Sequence, residues 1–350
     1  MRIAIDISPL QTGHKVRGVG FYLMHLKEAL ITYFPEHDYL FFENKEQINK
    51  EIDLIHYPYF DPFFITLPFF EHYKRVVTIH DLTPIVFPDH FPAGIKGNFS
   101  WQMQKINLKK VDAIITDSDA STNDVIKYAG VPSKKIHSVH LAAGEEFQRI
   151  TNHESRVKDV KKKYNLPNEF VLYVGDVTWN KNLPRLVEAM KELQLPLVMV
   201  GKSLVEKEFD RTNPWNKDLI SVQKETEGDS NFIKLGFVPT DDLVALYNLA
   251  TVFTFPSVYE GFGLPVLEAM QSGCPVVTTK GGSLAEVAGD AAYFVDGYDT
   301  ESIAKGIGEV FETEKLRNSL REKGFTQAKK FSWQQTAKKT IEAYKSCLVQ

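Results

Sequence analysis

A chain of 350 residues, 43% hydrophobic and 25% charged, is long enough for two domains with cores of their own, and this composition excludes a disordered or fibrous protein. A formal net charge of -4 excludes a global basic field, which argues against a nucleic-acid partner. Two cysteines far apart, Cys274 and Cys347, exclude a disulfide framework and zinc-ligand spacing, and no apolar run reaches transmembrane length.

The N-terminus enters at once into a strand-like run at 2–7, with no charged and apolar leader, so no signal peptide is expected and a reducing cytoplasm suits the two thiols. Further short apolar, β-branched runs at 53–57, 75–80, 112–117 and 136–140 predict strands separated by helical patterns. From 142 to 168 the chain turns polar, with a helix expected at 154–164 and a turn at 166–168, which suits an interdomain connection. A second set of strands is predicted at 170–175, 196–201, 231–236, 251–255 and 275–279, with a helix at 183–193 after the first. Ser332 is a good N-cap for a last helix ending near Lys345. Strands alternating with helices imply two doubly wound parallel α/β sheets: a first domain over 1–160, a second over 161–330, and a terminal helix at 331–350 returning to the first. Ligands on such sheets bind beyond the carboxyl ends of the strands, so two of them face to face would enclose a cleft.

The densest motif follows the strand at 251–255. Pro265 belongs at the first position of a helix, and Gly261 and Gly263 before it let backbone approach a ligand. The amides of that helix start, with the macrodipole behind them, suit phosphate oxygens. Glu260 on the loop and Glu268 one turn in can accept hydrogen bonds from sugar hydroxyls; alternatively, both acids merely favour a helix N-terminus. Lys181, at the turn after the strand at 170–175, can act as a point charge for phosphate, although a lone lysine there is usually just surface. All ten histidines lie between His14 and His153, no metal-binding spacing stands out, and no divalent ion is expected. Gly18-Val19-Gly20 lacks the third glycine of a dinucleotide fingerprint, which argues against an NAD enzyme.

Together these segments resemble glycosyltransferase family 4, and within it the bacterial group 1, mannosyltransferase-like branch that builds surface polysaccharides. The resemblance rests on Glu260-Gly-Phe-Gly-Leu-Pro running on to Glu268-Ala-Met, with supporting matches at Arg17-Gly18-Val19-Gly20, His80-Asp81-Leu82, Asp117-Ser118, Lys181-Asn182, Gly236-Phe237-Val238-Pro239, the segment from Ser283 to Asp290, and Phe331-Ser332-Trp333. It implies the two-Rossmann GT-B fold and a retaining hexosyltransferase without cofactor. The donor would be a nucleotide sugar, GDP-mannose foremost, with UDP- and ADP-linked sugars left open; the acceptor would be a saccharide or lipid-linked saccharide. Under that reading Glu260 and the amides around Gly261, Phe262, Gly263 and Leu264 hold the donor sugar and diphosphate, Glu268 binds the ribose diol, and Val238 meets the base through its backbone. Lys181 neutralises the leaving diphosphate, His80 reaches the transferred sugar across the cleft, and Gly18 with Gly20 forms a close-packed loop near phosphate or acceptor. The arginine that many relatives carry shortly before the lysine is missing here, so Lys202 or Arg17 is expected to help, and Ala285 replaces a more usual proline. A nucleotide-sugar epimerase of the same shape and a noncatalytic nucleotide-sugar binder are the competing readings.

The aromatic stretch 57–70 has two readings: core packing under a loop, or a docking surface for a lipid-linked acceptor or the inner face of a membrane, helped by Lys96, Lys105, Lys109 and Lys110.

Overall fold

The computed structural model describes residues 1–13, 18–48, 51–69, 71–150 and 155–348; Arg17, Phe70 and Glu154 lie outside them. The chain forms two compact units, one made of Met1–Ala142 with Phe331–Gln350, the other of Ala143–Lys330.

The first unit runs β1 (Arg2–Asp6), α1 (Gly18–Tyr33), β2 (Asp38–Phe42), β3 (Leu54–Tyr57), β4 (Lys74–Ile79), α2 (Thr83–Val86), α3 (Gly94–Leu108), β5 (Ala113–Thr116), α4 (Asp119–Asp124) and β6 (Ile136–Ser138). Its six strands are parallel in the order β2-β1-β3-β4-β5-β6. The second unit runs α5 (Ser155–Lys163), β7 (Val171–Val174), α6 (Leu183–Leu193), β8 (Leu197–Val200), α7 (Lys217–Glu225), β9 (Phe232–Gly236), α8 (Thr240–Leu249), β10 (Val252–Phe255), α9 (Leu264–Gln271), β11 (Val276–Thr278), α10 (Leu284–Ala288), β12 (Ala292–Phe294), α11 (Thr300–Glu312) and α12 (Glu314–Ala328). Its parallel order is β12-β11-β10-β7-β8-β9.

The inner strands are legible in the sequence because helices cover both faces of a parallel sheet and leave no polar side to alternate with. Val76, Val77, Ile79, Ile114, Leu172, Val198 and Phe253 are accordingly buried. Two strands that the residue pattern does not reveal, β2 and β12, are edges. An edge strand has one paired side and is half-covered, so its residues need not form an unbroken apolar run.

All of α5 belongs to the second unit, which starts at Ala143 rather than at 161. The reason is lateral bonding to α8: Arg156 Nη2 reaches Asp241 Oδ1 at 2.8 Å, and Lys163 Nζ and Tyr164 OH both donate to Asp242 Oδ2, at 2.6 and 2.7 Å. Upstream, Ile150 N donates to Asn248 Oδ1 at 2.8 Å and Gln271 Nε2 to the Gly144 carbonyl at 2.9 Å. The last helix, α13 (Trp333–Leu348), packs on α1, β4 and β5 within the first unit and runs about one turn past Lys345. Ser332 Oγ accepts from Gln335 N at 3.3 Å, the capping bond its position predicts.

Strand order decides where each sheet can hold a ligand. In the second unit the chain builds outward from β7 to β9, then returns to lay β10 on the other side of β7, which opens a crevice between the carboxyl ends of β7 and β10. In the first unit the reversal falls between β1 and β3.

Candidate active site

The loops leaving β7 and β10 carry Lys181 and Glu260, 79 positions apart, and the β7–β10 switch point brings them together. Lys181 Nζ stands 2.8 Å from both carboxylate oxygens of Glu260 and 4.9 Å from the centre of the Phe255 ring. A forked ammonium–carboxylate contact is charge-assisted and fixes both groups in direction. Both side chains keep partial access to solvent, 21% for the lysine and 10% for the glutamate.

Two asparagines beside Lys181, to which the motif reading assigns no role, strap the loops together. Asn180 Nδ2 donates to the Tyr259 carbonyl at 3.0 Å, and its own backbone carbonyl accepts from Val258 N at 2.8 Å. Asn182, left-handed at φ 61°, donates from Nδ2 to the carbonyls of Pro256 at 3.0 Å and Gly297 at 2.6 Å, and it precedes α6. The signal for them is the Asn-Lys-Asn run at a strand end, since short amides satisfy loop carbonyls and tolerate positive φ.

The other wall is the start of α9. Gly263 takes φ +100°, and a Cβ there would stand 2.8 Å from Leu284 Cδ2. Leu264 opens the helix and Pro265 takes the second position, one later than expected; its missing N–H still falls in the first turn, where no intrahelical acceptor exists. Ser283 clamps the preceding backbone: its N and Oγ both reach the Glu260 carbonyl at 3.1 Å, and Oγ lies 2.7 Å from the Phe262 carbonyl. Gly282 allows this approach, because a Cβ at its φ of +61° would lie 2.3 Å from the Glu260 carbonyl oxygen. Gly261 and Phe262 are buried under that clamp.

Glu268 is buried in α9 and accepts from Tyr247 OH of α8 at 2.9 Å. Burial raises its carboxyl to about 7, against the lowering effect of the Tyr247 bond, while Glu146 adds a further upward push. Tyr247, which no motif marks, is seated edge-on against Phe253 and Phe147. Val238, between β9 and α8, has a buried side chain beside the exposed Phe237, so solvent-side contacts from Val238 would run through backbone. Lys202 is exposed at the end of β8, next to Ser203, whose Oγ accepts from Val177 N at 3.2 Å. A cavity of about 410 Å³ lies over the ends of β10, β11 and β12, lined by Val258, Lys280, Phe294 and Tyr298 among others; Lys181 and Glu260 do not line it.

In the first unit His80 ends β4 as placed, with both ring nitrogens engaged: Nδ1 lies 2.7 Å from Asp117 Oδ2, and Nε2 lies 3.1 Å from the Pro58 carbonyl. Burial opposes the charged ring, but Asp117 and the Pro58 carbonyl outweigh it and raise the imidazole pKa. Tyr22 packs edge-on at 4.9 Å. Behind it His56 bonds Thr78 Oγ1 at 2.8 Å and Tyr344 OH at 2.7 Å, and burial followed by the charge of His80 lowers it to about 3. In this conformation both ring nitrogens of His80 are engaged within the first unit, so a contact with a sugar would require one of these bonds to be exchanged. Asp81 accepts from Thr83 N at 2.8 Å, capping the next turn. Gly18 and Gly20 form no loop: they lie in the first turn of α1, Gly20 buried and Gly18 open, with nothing within 4 Å of a Cβ added at Gly18.

Residues 155–327 match the family Glycosyl transferases group 1, and residues 10–142 match Glycosyltransferase Family 4. The serotype-specific mannosyltransferase WbdA of Escherichia coli is 32% identical over 281 residues, 78% of this chain but 33% of that protein, so the chain spans about a third of its length. The O-antigen chain mannosyltransferase B of Escherichia coli is 32% identical over 282 residues, 78% of this chain and 70% of that protein. Among solved structures, Anabaena Alr3699/HepE in complex with UDP-glucose aligns at a TM-score of 0.74 and 18% identity, covering 99% of this chain and 100% of that one. With its two parallel Rossmann-like sheets of the GT-B type, the chain belongs to the group 1 glycosyltransferases of glycosyltransferase family 4.

Proposed function

We propose that this protein transfers mannose from a nucleotide diphosphate donor, GDP-mannose foremost, to a saccharide or lipid-linked saccharide, with retention of configuration, in polysaccharide or lipopolysaccharide assembly. The observation that carries the reading is the Lys181–Glu260 contact at the β7–β10 switch point, 2.8 Å to both oxygens, beside the Gly263–Leu264 helix start. The mannosyltransferases of Escherichia coli favour the sugar, and the UDP-glucose complex of the Anabaena protein favours a nucleotide-sugar donor.

Departure of a nucleoside diphosphate leaves charge on phosphate oxygens, so the site needs preorganised positive potential more than a strong acid. Before donor binds, Glu260 keeps Lys181 aimed; a diphosphate oxygen then takes over part of its hydrogen bonding, and the carboxylate is released toward the sugar hydroxyls. The amides of Gly263 and Leu264 hold the other phosphate oxygens, and Glu268, steadied by Tyr247, accepts from the ribose diol. The bond from the sugar C1 to the diphosphate breaks while the acceptor oxygen bonds C1 on the same face, and its proton passes to the departing phosphate oxygen. No divalent ion is required in this scheme, and His80 acts by shaping the acceptor-side wall.

The test is nucleoside diphosphate release from GDP-mannose and from UDP- and ADP-sugars, with and without a mannan oligosaccharide, in the presence of a chelator. Release from GDP-mannose that depends on acceptor, with an α-linked product by NMR, is expected. Interconversion of donor without an acceptor would mark an epimerase, and binding without turnover a noncatalytic binder; either overturns the proposal.

A further inference from the structure

The helix α3 is built inside out. Its buried face carries Gln104 and Asn107 beside Gly97, Trp101 and Leu108, whereas Ile95, Phe99 and Ile106 face solvent at 91%, 67% and 51% exposure. At 3.6 residues per turn these three fall within about 40° of arc, roughly opposite the buried face. The buried amides serve the neighbouring loop. Gln104 Nε2 donates to the carbonyls of Asp61 and Phe64, at 3.1 and 2.7 Å, and Asn107 Nδ2 to that of Leu67 at 3.0 Å. They pin the 61–67 loop to the helix, and with it Phe64, 71% exposed, and Ile65. The aromatic stretch is thus divided: Tyr57, Phe60 and Leu67 serve the core, while Phe64 is held out in water beside an apolar helix stripe.

Charge marks what covers this face. Between Asp89 and Asp112 there is no acidic residue, but there are four lysines, in a chain whose net charge is -4. On the helix, Lys96 and Lys105 lie on opposite flanks of the stripe, about 80–100° to either side, and Lys109 and Lys110 follow at its end. None of the four is in an ion pair among the described residues. A narrow apolar stripe flanked by ammonium groups matches a bilayer interface, where the large side chains enter the acyl boundary and the lysines meet anionic headgroups. We infer that α3 and the 61–67 loop dock this protein on an anionic lipid surface. No helix of the described residues is long and apolar enough to cross a membrane, so such contact is peripheral.

The experiment is co-sedimentation of the full chain with vesicles of phosphatidylcholine alone or with about one third phosphatidylglycerol. Wild type binds the anionic vesicles and is partly released at high salt; Ile95→Ser/Phe99→Ser loses about tenfold or more in binding, and Lys96→Gln/Lys105→Gln loses the preference for anionic lipid. Should the helix double variant melt early, Phe64→Ser on the loop gives the same readout from a separate element. Wild type remaining in the supernatant with anionic vesicles, or the serine variants binding as wild type does, overturns the proposal. So does a vesicle-free dimer that Ile95→Ser/Phe99→Ser converts to monomer, which would assign the face to a second copy. No donor enters this experiment, so its failure leaves the transferase reading standing.

Discussion

Two ion pairs, one in each unit, share the same kind of contact and differ in chemistry. Lys181–Glu260 joins two loops across a switch point, retains partial solvent access, and has beside it a helix start whose first amides have no intrahelical acceptor. His80–Asp117 has its donors spent: the ring, 17% exposed, engages its second nitrogen with the Pro58 carbonyl, Ser121 Oγ donates to the His80 carbonyl at 2.9 Å, and Tyr22 packs edge-on against the ring. An ion pair with an open side can exchange partners when an anion arrives, whereas a pair with every donor spent holds a wall in place. The proposed transfer accordingly draws its positive charge from the first pair.

The contrast between the pairs is most readily broken at Asp117. Asp117→Ala leaves a half-buried imidazole without its carboxylate and should cost about 3 kcal/mol of stability in urea unfolding at neutral pH; a wild-type midpoint would show this pair to be structurally idle. Lys181→Ala should cost about 1.5–3 kcal/mol of transition-state stabilisation, roughly a tenfold to hundredfold fall in kcat/KM. Equal kinetics would remove Lys181 from the mechanism. Tyr247→Phe deletes one bond to Glu268 and should weaken donor binding by about 1 kcal/mol, roughly fivefold in KM, with little change in kcat.

The pH dependence of Glu268 sharpens the comparison further. With its carboxyl held at about 7, against an ordinary 4.5, the folded chain keeps a proton that the unfolded chain has released between those values. Its contribution to stability is therefore greatest in acid and declines as pH rises from 4.5 to about 7. Donor binding runs the other way, because the charged carboxylate is the better acceptor for a diol, so KM should fall from about pH 6 to about pH 8. A Glu268→Gln variant with the same KM profile would exclude the diol role.

Residue pattern alone carried the fold class, ten of the twelve strands among the described residues, α6 and the cap of α13, because covered parallel strands and helix starts are written in local composition. The placement of Lys181 and of the Gly263–Pro265 helix start just beyond strand ends was equally local. Contact between distant loops was not. Asn180, Asn182, Tyr247 and Ser283 act through partners about 20 to 115 positions away, as in Asn182 to Gly297, and nothing in their own neighbourhoods names those partners. The closure of His80 by Asp117 and Pro58, and the outward turn of Ile95 and Phe99, also depend on which surfaces the sheet order leaves covered. Local sequence determines which elements form; strand order, a long-range outcome of burial, decides which charges meet and which side chains remain in water.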